Sequence, residues 1–143
     1  MTLLNMRGIV KITKTMKTKE VVINKCFGGF GLSHKAVMLY TKLKGIKLYP
    51  EVNEISKKVY KSEATLDNPD IAVDYYDGEG ESFFGNDIPR DDLMLIEVIK
   101  KLGKKANDRF SDLKIVKIPT DIEWEINEYD GVESIEEKHK SWS

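Results

Sequence analysis

Little in this chain belongs to the usual catalytic or metal-binding repertoire. It has one cysteine, Cys26, and two histidines, His34 and His139. A lone cysteine forms no internal disulfide, and it suits a reducing cytoplasm better than a secretory route. No His/Cys/carboxylate spacing matches a metal site, so neither a metal nor a cofactor is expected. No apolar run approaches the roughly 20 residues that span a bilayer, and the N-terminus carries no signal-peptide core. Arginine is scarce too: only Arg7, Arg90 and Arg109 occur among the 23 basic residues. The net charge of −1 gives little support to a duplex-DNA binder held by counterion release, so nucleic acid is not an expected partner.

What remains is a chain of 143 residues with 41% apolar content, a natural size for one core. The small net charge hides an asymmetry. Residues 1–62 carry 13 basic against 3 acidic side chains, a balance of +10, whereas residues 63–143 carry 10 against 21, a balance of −11. The two halves can neutralise each other within or between chains, or form a basic lip around an anionic ligand.

Residues 1–15 read as an N-terminal extension, an edge strand or disordered, preceding a single domain over 16–143. Glu20 to Cys26 reads as a buried strand through Val21, Val22 and Ile23. Ser33 is a good N-cap for a helix carrying Ala36, Leu39, Tyr40 and Leu43, which Gly45 stops. Ile46 and Leu48 suggest a short strand ended by Pro50, residues 51–70 a polar loop, and Ile71 to Tyr76 another strand. A second helix starts at Asp91 or Asp92, carries Leu95, Ile96, Ile99 and Leu102, and ends at Gly103. Leu113–Ile118 and Ile122–Ile126 alternate as half-buried strands, and Pro119-Thr-Asp between them suggests a hairpin. After Tyr129-Asp-Gly131 a short charged helix through Ile135 is expected. The fold class is therefore α+β, a mixed, mostly antiparallel sheet with two main helices packed on it.

The densest chemical signal is Asn24-Lys-Cys-Phe-Gly-Gly-Phe-Gly-Leu-Ser33. Glycines between a strand and a helix start let a ligand approach the backbone, and the first-turn amides favour an anion such as phosphate. The spacing is neither a Walker A loop nor a dinucleotide fingerprint. A tight turn that lets the helix pack on its own strand explains the glycines equally simply. Asn24, Gly28, Gly29 and Phe30 are the candidates here. Phe84 can stack on a purine and Asn86 can read its edge, unless both serve core and turn. Arg90 and Arg109 offer planar forks for phosphate, with Asp91, Asp92 and Asp108 as competing partners. Cys26 lacks a convincing base, and the Glu123 to Asp130 carboxylates suit a solvated strand face; no catalytic residues are assigned.

Ile23–Ser33, Ile88-Pro-Arg-Asp-Asp92, Leu113–Ile126 and Tyr129-Asp-Gly131, with Glu137, His139 and Trp142, together resemble a group of small phage and prophage proteins. That group includes the Thoeris anti-defence sponges of the first type, and the resemblance covers about residues 20–142. It implies a non-enzymatic protein of the infected cell's cytoplasm that sequesters cyclic ADP-ribose isomers made by a bacterial TIR-domain protein, keeping the NAD-depleting effector silent. It also implies homo-oligomers, dimers assembling into hexamers, with ligand pockets at subunit interfaces and, in some relatives, a second site for cyclic oligonucleotides. The positions carried over are Gly28, Gly29, Phe30, Arg90 and Arg109, with Phe84 and Asn86 on the variable loop before Ile88. A nucleotide-processing phosphodiesterase or hydrolase and a nucleic-acid-binding phage regulator are the alternatives.

Overall fold

The computed structural model describes residues 17–61 and 65–138. The expected extension, residues 1–15, lies outside them, as do His139 and Trp142.

Three successive β-branched residues, Val21, Val22 and Ile23, sit in β1 (Thr18–Asn24), which pairs antiparallel with β5 (Leu113–Pro119) from Thr18↔Pro119 to Asn24↔Leu113. This ribbon is covered on both faces. Val22 packs in one cluster with Ala36, Tyr40, Leu95 and Ile99, whereas Val21 and Ile23 pack with Ile118, Trp124, Ile126 and Ile135. Cover on both sides is why the strand reads as an unbroken apolar run instead of an alternation.

The helices follow their caps. Helix α1 (His34–Lys44) begins where Ser33 Oγ accepts from the Ala36 amide at 3.1 Å, and it stops at Gly45 in the left-handed region. The next helix, α2 (Glu54–Val59), is a short one that the sequence reading missed. Its Ile55 and Val59 are exposed, so it carries no inward apolar stripe to betray it. Helix α3 (Leu93–Leu102) is capped by Asp92, whose Oδ1 accepts from the Met94 and Leu95 amides. Its Leu95 and Val98 are wholly buried, which at roughly 1.5–3 kcal/mol per buried aliphatic side chain anchors the main core. The Asp92 carboxylate also takes the Tyr40 hydroxyl at 3.0 Å and the Lys44 ammonium at 2.8 Å, clamping α3 to the end of α1.

The other face of α1 carries a three-stranded sheet in the order β2 (Tyr49–Val52), β3 (Val73–Tyr76), β4 (Ser82–Phe83). Val37, Leu48 and Tyr75 form the core between them. Pro50 lies inside β2 instead of ending a strand; β2 is the sheet's edge, where a missing N–H breaks no central ladder. Two small 3-10 turns, Gly85–Asp87 and Gly103–Ala106, complete the connections around α3.

The last pair, β6 (Trp124–Tyr129) and β7 (Val132–Glu137), is an antiparallel hairpin. It replaces two expectations. Pro119-Thr-Asp does not join a hairpin, because β5 pairs with β1, and the segment through Ile135 is a strand, not a helix. Asp130 and Gly131, with φ of 56° and 90°, make the two-residue turn whose twist matches the flanking strands. The architecture is α+β, its antiparallel pairing divided among three small sheets. No helix among the described residues is long and apolar enough to cross a membrane.

Candidate functional site

Beside the start of α1 and β3 lie two adjoining cavities, the halves of one candidate cleft, whose linings share Leu32, Val73, Tyr75 and Asp108. The first is a cavity of about 490 Å³ lined by the first turn of α1, residues 66–69 and 71–73, and residues 104, 105, 107 and 108. Ser33 holds this wall together: its amide donates to Ala106 O at 2.8 Å, and its hydroxyl donates to Lys105 O at 2.6 Å. The amides of His34 and Lys35 meet no acceptor among the described residues. Lys35, Lys104 and Lys105 line the same half and form no ion pair among the described residues. A helix N-terminus and these three ammonium groups bring positive charge to this end, opposed in the same lining by the carboxylates of Asp67 and Asp108.

His34 lines the first half, and its partner Tyr75 lines both. The His34 ring stacks on Tyr75, centroids 5.9 Å apart and planes 9° from parallel, with Nδ1 3.0 Å from the phenol oxygen. Burial holds the His34 imidazole below its ordinary pKa, and Asp67 pulls it partly back. Burial, then the Asp67 charge, pushes the Tyr75 phenol well above its usual value. At neutral pH the imidazole is therefore neutral, and Nδ1 and the Tyr75 hydroxyl share one hydrogen bond whose direction follows the ring tautomer.

The second half is a cavity of about 330 Å³ whose walls include Phe30, Tyr75, Tyr76, Phe83, Phe84 and Asn86. Both volumes fall in the range of small-molecule sites, about 300–1,000 Å³. Aromatic faces beside an amide that both donates and accepts suit a planar nitrogenous base.

The candidate residues of the sequence therefore divide. Phe30, Phe84 and Asn86 meet in the aromatic half. Asn24 does not reach the cleft: its amide donates to Cys26 O and Gly131 O at 2.7 Å each, and its carbonyl accepts from the Cys26 and Asp112 amides. With both ends of the side chain spent on backbone, Asn24 splices three chain segments and has nothing left for a ligand. Gly28 and Gly29 line neither half. Gly28 is pressed against Phe110, whose backbone and Cβ occupy the space a side chain would need. Gly29, at φ 94°, donates its amide to Cys26 O at 3.3 Å. These two glycines serve a turn and a close approach and stand outside both linings, whereas Phe30 to Ser33 are the loop residues that line the cleft.

The arginines divide as well. Arg90 is held by both carboxylate oxygens of Glu133, the second at 3.0 Å, while its guanidinium lies 3.6 Å above the Phe30 ring. This part-buried pair occupies the forked donors of the guanidinium. Arg109 is exposed, 3.5 Å from Asp70, and lies outside both cavities.

Sequence reasoning missed Lys104 and Lys105, which follow the helix stop at Gly103, and Tyr75. The turn at Asp77-Gly-Glu-Gly was the signal for Tyr75, since it folds β4 back so that Tyr75 faces Phe83. Neither the family models, the curated proteins nor the solved structures contain a match to this chain.

Proposed function

We propose that the protein binds a cyclic nucleotide-type immune signal, a cyclic ADP-ribose isomer, and sequesters it without hydrolysis, so that Thoeris-type bacterial immunity stays silent during phage infection. The observation that carries this reading is the union, in one cleft, of a cationic end and an aromatic end. The phosphates lie against the α1 terminus and Lys35, Lys104 and Lys105; the base lies among Phe30, Tyr76 and Phe84. Binding without turnover is supported by how the hydroxyl, thiol and imidazole candidates are held. The imidazole in the lining is engaged by Tyr75, the Ser33 hydroxyl is engaged as a cap, and Cys26 lies elsewhere.

The same reading makes the protein a homo-oligomer. Phe27 and Phe110, 73% and 56% exposed and neighbours across the Gly28 contact, are apolar surface that such an assembly would cover.

The test is to mix the purified protein with cyclic ADP-ribose isomers, remove free ligand, denature by heat and identify what is released. Intact cyclic compound supports sequestration. Linear ADP-ribose would make the protein a hydrolase, and no released nucleotide would overturn the reading.

A further inference from the structure

The two halves of the cleft meet at one carboxylate, Asp108, the acidic residue that lines both. Its position is fixed from three sides. The Asp108 amide donates to Ser111 Oγ at 2.9 Å, that hydroxyl donates in turn to Gly31 O at 2.8 Å, and Asp108 Oδ1 accepts from the Phe110 amide at 2.9 Å. The other oxygen, Oδ2, lies against Gly31, in the space a side chain there would fill. It makes no hydrogen bond or ion pair among the described residues, although Lys104 and Lys105 stand in the same cavity wall.

An immobile, unused carboxylate oxygen is a poor neighbour for phosphate and a strong acceptor for hydroxyl groups. In a nucleotide the part between phosphate and base is the sugar. We propose that Asp108 is a specificity-determining residue that accepts a hydrogen bond from a ribose hydroxyl of the captured nucleotide, making the cleft selective for ribonucleotides over their deoxy counterparts. The inference rests on reading the cleft as a nucleotide site. Asp67 and Asp74 do not share the role, because each lines only one half, and Asp74 already takes the Asn53 amide. A deoxy analogue leaves Oδ2 desolvated without a donor, which is the stronger form of discrimination a binding site has.

The experiment compares ADP, 2′-deoxy-ADP and 3′-deoxy-ADP by calorimetry on the wild-type protein and on Asp108→Asn, which keeps an acceptor for the Phe110 amide. The wild type is expected to prefer ADP over at least one deoxy compound by roughly tenfold or more, the worth of a hydrogen bond to a charged acceptor. Asp108→Asn is expected to cut that preference to about threefold or less, as a neutral acceptor would. Equal wild-type affinities for all three overturn the assignment, as does a folded Asp108→Asn variant that retains the full preference. Should the variant fail to fold, the wild-type comparison alone still decides between preference and none. If the wild type binds neither these probes nor cyclic ADP-ribose, the nucleotide reading of the cleft falls and the assignment with it.

Discussion

Glu133, on the second strand of the C-terminal hairpin, grips Arg90 with both carboxylate oxygens and takes the Asn24 amide at 2.8 Å with one of them. The Asn24 group held here is its backbone N–H, so one buried side chain ties β7 to the end of β1 and to the segment that leads into α3. The Arg90 and Glu133 side chains are only 15% and 7% exposed. Glu133→Ala is expected to destabilise the fold by about 3–5 kcal/mol, because the guanidinium stays charged, buried and unpaired. Urea denaturation measures this; a loss under about 1 kcal/mol would place the pair among weak surface bridges.

Ligand capture should follow the cleft and not the inventory of arginines. Phe84, 59% exposed, stands in the aromatic wall, so Phe84→Ala is expected to weaken capture by about 1–3 kcal/mol, the worth of one stacked base, with little change in melting temperature. Arg109→Ala should leave capture unchanged, since the residue lies outside both cavities. Calorimetry with a cyclic ADP-ribose isomer reads both, and the reverse pattern would move the site to the Arg109 loop.

The glycines of the 28–31 loop should respond through folding. At Gly28 an added Cβ overlaps the Phe110 backbone, so Gly28→Ala is expected to cost about 1–3 kcal/mol, as overpacking does. At Gly29 nothing stands within 4 Å, and Gly29→Ala carries only the smaller strain of its left-handed backbone. Thermal melting ranks the two. Normal capture by a folded Gly29→Ala variant fits a turn, whereas abolished capture would restore its amide to the ligand site.

His34 makes stability depend on pH. The folded protein binds a proton on this ring less readily than the unfolded chain, whose histidine titrates near 6.5. As pH falls through 6.5 towards the lower folded value, the unfolded state gains protons first, so stability present at neutral pH is lost. The melting temperature should therefore fall between about pH 7.5 and 5.5, and His34→Gln should flatten that part of the curve. An unchanged curve in the variant would assign the dependence to other groups.

How legible all this was depends on the range of the interaction concerned. Ser33, Gly45 and Asp92 announced the helix ends because a cap acts on amides and carbonyls within a turn of itself. Phe30, Phe84 and Asn86 were recognisable as ligand groups by type, and they do share one wall. The Asp130-Gly131 turn was written in the sequence as well, as the strongest short hairpin signal, but the charged residues after it were read as a helix. Helix α2 carried a cap at Asn53 and a basic last turn at Lys57 and Lys58, but its apolar side chains face outward, so no burial pattern marked it.

By itself the sequence determined the α+β composition, the caps and stripes of the two main helices, and the doubly covered character of β1, since each is encoded within a few residues. Tertiary structure alone decided that β5 pairs with β1, that Asn24 and Arg90 turn inward to partners 107 and 43 residues away, and that lysines from two turns, with no ion pair among the described residues, line one cavity together with Asp108. A buried polar group takes whichever partner the packed chain delivers, and that delivery is a property of the whole fold.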